Sequence, residues 1–387
     1  MRIDFSGARG KIHWSSVLAY IRRSKAMLTE AIVTNLTKAS IRKVLEYISR
    51  CPNLQHLGIL SPSSPNDIYE LFKGCKKLKT LLVSSDTTIP QSTLTKLLAS
   101  FPKLERIEIH NTTKSREPDV HWPPALPNLQ SITLGTNESG VHENYIPALY
   151  IPRLIDPTTP FPISNLTELR LHSNPKIFVP YPPSFNPADL PHLQKLDISG
   201  LYIGGTFGLP PTLQFLRIRG GAAIEALPFA TPTTDGDNGQ LQPLHLPKLT
   251  TLIFSDVPWV THLTLMAFVA NAHAPLEVLH VDSCFRVPAA ILVSILREHG
   301  AHLNTLNVAH IMGIQDSTVA TLVEGVRSLN VLNLAYTDIT GVTVKALADT
   351  QMAEDKANVE CLYIKGCEGV SSDAIDYGRS RGLVIVI

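Results

Sequence analysis

Apolar residues recur along this chain in the order L-x-x-L-x-L. The phrase Cys51-Pro52-Asn53-Leu54-Gln55-His56-Leu57-Gly58-Ile59 returns as Cys75-Lys76-Lys77-Leu78-Lys79-Thr80-Leu81-Leu82-Val83, and again as Phe101-Pro102-Lys103-Leu104-Glu105-Arg106-Ile107-Glu108-Ile109. Aligned on the last apolar residue, the copies run through Phe5, Val33, Ile59, Val83, Ile109, Leu134, Leu171, Ile198, Ile218, Phe254, Val281, Val308, Leu334, Ile364 and Ile385. The intervals range from 20 to 37 residues and most lie between 24 and 30. Self-similarity at such a period marks a chain built of stacked supersecondary units. The last two apolar positions of each copy alternate with polar ones, which predicts a short strand with one buried face. A strand that short is held only by its neighbours, so each copy must pair in parallel with the next.

Helical spacing follows many of these strands. After Val33, residues Ile41, Val44, Leu45 and Ile48 fall on one helical face within 37–50. Similar stretches lie at about 90–100, 258–271, 288–299, 316–327, 340–353 and 371–380, opened by Pro90, Pro258, Pro288, Asp316, Thr340 and Ser371 or Ser372. Three places past the last strand residue stand Asn137, Asn174, Cys284 and Cys367, small residues suited to an inward bend. The expected architecture is an α/β leucine-rich-repeat solenoid of the ribonuclease-inhibitor-like horseshoe type. It has a parallel sheet on its concave side and helices outside at both ends. Of 29 prolines, 21 lie between Pro118 and Pro247, where helical periodicity fades; irregular outer turns are expected there. Insertions are predicted at about 138–165 and 221–246, the second with a flexible tip at 231–240. The repeat resumes after each, so a single solenoid of about 14–15 copies over 1–387 is expected.

Composition narrows the function. There are 34 Lys and Arg against 33 Asp and Glu, a net charge of +1 that supplies no general attraction to nucleic acid. No apolar run reaches the roughly 20 residues of a membrane span, and no signal-peptide stretch follows Met1. Five scattered cysteines, an odd number, favour reduced thiols and a place inside the cell, in nucleus or cytoplasm. Signatures of metal, phosphate-loop or nucleophilic chemistry are missing. Gly200, Gly204, Gly205 and Gly208 lack a following Lys-Ser/Thr, and Asp235 with Asp237 lacks the spacing of a calcium loop. The expectation is a binding protein with no cofactor, no metal and no catalytic residue.

What the repeat does specify is a face. The residues that alternate with the buried ones point to the concave surface. Parallel strands stack about 4.8 Å apart, so Arg170, Asp197 and Arg217 are expected in one row, with His172 and Arg219 beside them and Phe215 flanking. Arginine pairs with carboxylate or phosphate through two hydrogen bonds. The candidate protein-binding residues are therefore Arg170, His172, Lys195, Asp197, Phe215, Arg217, Arg219, His280, Asp282 and Tyr363, facing an acidic or phosphorylated segment. The competing reading is a solvated charged face in which Asp197 merely neutralises its neighbours. Leu82 and Ile253 are expected as exposed apolar points on the same surface.

The segments Cys51-Pro52-Asn53-Leu54 and Ile364-Lys365-Gly366-Cys367-Glu368-Gly369-Val370-Ser371 resemble the cysteine-containing leucine-rich repeats of F-box proteins. The opening Arg2-Ile3-Asp4-Phe5-Ser6-Gly7 and the proline-interrupted middle are most similar to the C-terminal region of fungal F-box proteins, including the kind that also carries tetratricopeptide repeats. The resemblance implies the substrate-recognition part of an SCF-type E3 ubiquitin ligase receptor in ubiquitin-dependent degradation. A ligase adaptor is implied only where a longer parent chain carries an F-box, since the first strand follows Met1 too closely to leave room for one here. The alternatives are a stand-alone repeat scaffold and a nucleic-acid-associated protein.

Overall fold

The computed structural model describes residues 1–4, 14–34, 38–60, 65–89, 96, 99–112, 128–135, 165–172, 179–180, 187–202, 207–220, 229–230, 244–324, 326, 328–350 and 359–387. They fall into two compact units, Met1–Phe185 and Asn186–Ile387. Each unit is an α/β leucine-rich-repeat solenoid.

In the first unit seven parallel strands follow one another in chain order: β1 (Arg2–Asp4), β2 (Glu30–Thr34), β3 (His56–Leu60), β4 (Thr80–Ile89), β5 (Arg106–Thr112), β6 (Ser131–Gly135) and β7 (Glu168–His172). Register is set by the motif itself, with Leu57 beside Leu81, Leu81 beside Ile107 and Ile107 beside Ile132. Each of these side chains is at most 1% exposed, so a one-residue slip would turn the whole apolar set to solvent. The helices described in full beside them are α1 (Trp14–Ser24), α2 (Lys38–Ile48) and α3 (Pro65–Phe72). As expected, α2 buries Ile41, Val44, Leu45 and Ile48. The sequence reading had no counterpart for α1 or α3, whose buried residues Val17, Leu18 and Ile21, and Ile68 and Phe72, are too few to establish a period.

The second unit repeats the arrangement with eight parallel strands: β8 (Lys195–Ser199), β9 (Phe215–Arg219), β10 (Thr251–Ser255), β11 (Val278–His280), β12 (Thr305–Asn307), β13 (Val331–Asn333), β14 (Cys361–Tyr363) and β15 (Val384–Val386). Its helices are α4 (His262–Ala270), α5 (Ala289–His299), α6 (Asp316–Glu324), α7 (Gly341–Thr350) and α8 (Ser372–Ser380). Three sequence expectations are corrected here. Helix α4 begins after Thr261 rather than at Pro258, because Thr261 and Thr264 close a reciprocal capping box. Asp316 is the first residue of its own helix, and its carboxylate caps the next one. It accepts from Thr340 N (2.9 Å), Thr340 Oγ1 (2.6 Å), Thr343 N (3.3 Å) and Thr343 Oγ1 (2.5 Å). Finally, Ile385 pairs with Leu362, so it holds the penultimate apolar position of the motif and not the last, as assumed for alignment with Ile364.

Several expected features lie outside the described residues: Phe5, the helix over 90–100 for its greater part, the bends at Asn137 and Asn174, and nearly all of both insertions. Where the middle is described, a short 3₁₀ turn, Pro187–Asp189, stands in place of an outer helix, as the proline content requires. The other two predicted bends are buried thiols. Cys284 Sγ donates to Phe254 O (3.5 Å) and Cys367 Sγ to Leu334 O (3.1 Å), each reaching back one copy. Burial pushes the Cys284 thiol up to about 12, so it stays a neutral donor. A further regularity was invisible in the pattern. Two places beyond the last apolar residue, the backbone turns left-handed in copy after copy, at Gly200, Gly220, Asp256, Ser283, His310, Tyr336 and Gly366, with φ between 54° and 71°. Among the described residues no helix is long and apolar enough to cross a membrane.

Candidate functional site

The open face of the strands in each unit carries the residues that alternate with the core. In the first unit many of these side chains pair with one another, although the buried Thr133 Oγ1 finds no partner among the described residues. Arg2 meets Asp4 (2.7 Å) and Glu30 (3.3 Å), His56 Nδ1 lies 3.0 Å from Thr80 Oγ1, and Arg106 meets Glu108 (3.4 Å). Arg170, a candidate, donates Nε (2.9 Å) and Nη2 (2.5 Å) to Glu168 Oε1 in its own strand, while Ser131 Oγ donates to Glu168 Oε2 (2.8 Å). Burial of Glu168 would raise its pKa, yet the bonds from Ser131 and Arg170 outweigh that and hold it below the usual carboxylate range. The Nε edge of Arg170 is thus already used. His172, at the end of the same strand, is half-buried.

In the second unit the register draws two rows across the open face. The first reads Asp197, Arg217, Ile253, His280, Asn307, Asn333 and Tyr363. The second starts with Ser199, Arg219 and Ser255, and Asp282 follows just beyond the end of β11. Arg217 Nη1 donates to Asp197 Oδ2 at 3.5 Å; the Asp197 side chain is 5% exposed and that of Arg217 25%. The expected pairing of these two residues therefore exists. Ile253, expected in the open, is 8% exposed because it lies between Arg217 and His280 in the row, and Leu82 is half-buried. Asp282 Oδ1 accepts from Ser255 Oγ (3.0 Å) and Asn307 Nδ2 (2.9 Å), while Asn307 Oδ1 accepts from Ala309 N (3.1 Å). Asn333 repeats that last bond with Ala335 N (3.0 Å).

Three nitrogens of this cluster stand apart. Arg217 Nε, Arg219 Nε and His280 Nε2 are buried, and none has a hydrogen-bond partner among the described residues. Desolvation lowers the His280 pKa; Asp282 opposes the shift and Arg219 adds to it. Lys195 is exposed and Phe215 half-buried beside it in register. Tyr363, 37% exposed, is three strands from His280, roughly 14 Å at the usual spacing, so it is not part of the cluster. The sequence reading passed over Ser255 and Asn307 as partners of Asp282. Their places on the open face are legible, but which side chain bonds which, and the diagonal bond from Asn307 above all, follows from side-chain length and not from the period.

No family model matches the sequence, and no curated protein matches it. Among solved structures the chain is similar to one from the Rad7 and Elc1 complex in yeast, with 15% identity, a TM-score of 0.52, and coverage of 97% of this chain and 89% of that chain. An internalin from Listeria monocytogenes matches at 13% identity and a TM-score of 0.46, covering 97% and 94%. A leucine-rich-repeat protein of Leptospira interrogans matches at 14% and 0.39, covering 98% and 100%. At such identities the likeness concerns the fold alone.

Proposed function

We propose that this protein is a recognition module that holds a segment of a partner protein along the open face of its second unit. The carrying observation is the group of buried nitrogens on Arg217, Arg219 and His280, which have no hydrogen-bond partner among the described residues and lie on a face that the described helices leave uncovered. Buried donors are satisfied in the great majority of native proteins, and each one left open costs about 1–3 kcal/mol. A partner that supplies acceptors there recovers that cost on binding.

We further propose that the partner is a substrate for ubiquitin-dependent degradation, with this chain as the recognition part of an SCF-type ligase receptor. Support comes from the likeness of its cysteine-containing repeats to those of F-box proteins; the yeast structure that it resembles in fold is of a complex of Rad7 and Elc1. Five free cysteines, four of them buried, support a reducing compartment in nucleus or cytoplasm. The test is photo-crosslinking from cells expressing the full chain, with the crosslinker at Asn333 on the open face or at Ser294 on exposed helix surface. A partner trapped from Asn333 and not from Ser294 is expected. Equal trapping from both positions would end the recognition reading. A trapped partner whose lifetime is unchanged when the protein is depleted would leave a scaffold and remove the ligase role.

A further inference from the structure

The charge count of the cluster identifies which oxyanion it takes. Within the second unit, Lys195, Arg217 and Arg219 face Asp197 and Asp282, leaving one formal positive charge while His280 is neutral. Arg217 commits Nη1 to Asp197, so its Nε edge, the edge that meets a carboxylate side-on, remains for another acceptor. Among the described residues no carboxylate forms an ion pair with Arg219, while Asp282 is held by Ser255 and Asn307. Ile253 lies between Arg217 and His280, and Ser255 lies next to Arg219 in register, so the three residues flank one apolar and one hydroxyl side chain on adjacent strands.

We propose that Arg217, Arg219 and His280 form a subsite for the carboxylate of an acidic side chain on the partner segment, a reading that rests on open-face recognition as described above. One negative charge balances the cluster. A phosphate dianion would leave excess negative charge beside Asp282 and Asp197, where low exposure strengthens repulsion. The Nε atoms are buried while the Arg217 side chain is a quarter exposed, so capture involves a rotamer change that turns the guanidinium edge toward the ligand. Lys195 stands exposed at one side of the cluster, placed to steer the acidic segment inward.

The test uses the full chain with nitrogen-15 in its arginines, titrated with acetate, inorganic phosphate or chloride at pH 7.5 and constant ionic strength. The Nε–H signals of Arg217 and Arg219 are assigned from Arg217→Lys and Arg219→Lys. The expected result is a saturable acetate shift of both signals, with dissociation constants roughly five-fold or more tighter than for phosphate. Arg219→Gln should weaken acetate by a similar factor. Absence of saturation with acetate, or phosphate binding tighter than acetate, overturns the carboxylate assignment. Because the titration needs no partner protein, its failure together with a partner trapped from Asn333 removes only this subsite. Saturation without any trapped partner removes only the recognition module.

Discussion

The open faces of the two units are built by one alternation and differ in what their charges do. In the first, arginines and acids close on each other within or between neighbouring strands, as in Ser131–Glu168–Arg170 and Arg106–Glu108. In the second, Asp282 is engaged by neutral Ser255 and Asn307, which leaves Arg219 with no carboxylate among the described residues. The lesson is that charges on a repeat face inform about binding only once their internal partners are known. The partition of donors and acceptors decides whether the surface is self-satisfied or waiting for a partner.

The comparison can be broken at its foundation first. If both units share one core logic, Leu169→Ala and Leu216→Ala should each cost about 2–5 kcal/mol in denaturant melts, since both side chains are at most 1% exposed. A cost well below that in one unit would mean the units are not equivalent solenoids. Next in size, Arg217→Glu places a second carboxylate beside the buried Asp197, and about 1–3 kcal/mol of stability should be lost. That makes it a poor probe of recognition, and a melt unchanged from wild type would show that the ion pair is not formed in solution.

Acid separates the regions by pH window. His280 has a folded pKa below its ordinary 6.5 because burial disfavours the charged ring, so the unfolded chain binds its proton first. Stability should fall as pH drops from 6.5 toward the folded value, and His280→Gln should remove that slope. Glu168 is also depressed, through bonds from Ser131 and Arg170 that exceed its burial penalty, so its contribution is present above 4.5 and lost as pH falls through its folded value. Glu168→Gln should flatten only this lower window. Melts across pH 3–8 distinguish the two; one shared window would refute the assignment. Last, Arg219→Gln breaks no ion pair among the described residues and removes a buried donor without a partner, so stability should not fall. A loss would show that Arg219 is consumed internally, like the arginines of the first unit.

Much of this was legible in the sequence because period and alternation are consequences of backbone geometry. The strand positions from Leu54 to Ile364, the helices 288–299 and 371–380, and the Asp197–Arg217 pairing follow from counting residues. What escaped depends on side-chain reach. Asp316 looks like a local cap, yet its carboxylate spans to Thr340 and Thr343 in the next copy. Ile253 looks exposed by parity, but the long neighbours Arg217 and His280 close over it. The last copy misled for a different reason. Its Leu383 and Ile385 are only two residues apart, and the missing spacer shifts the strand against the motif.

The left-handed residue after each of the first seven strands of the second unit, β8 to β14, has a consequence of another kind. Only Gly200, Gly220 and Gly366 suit that conformation by themselves; Asp256, Ser283, His310 and Tyr336 adopt it against a local preference of roughly 1–2 kcal/mol. Position in the array, not residue type, dictates the backbone there, and the rings of His310 and Tyr336 even stack at 4.2 Å across adjacent copies. A fixed exit direction works like a standard coupling between carriages. Copies joined at this residue leave their strands along the same path whatever side chain they carry. The array can therefore be lengthened, shortened or reordered at that joint while the outgoing chain keeps its heading, which makes this bend the natural seam for recombining the protein's parts.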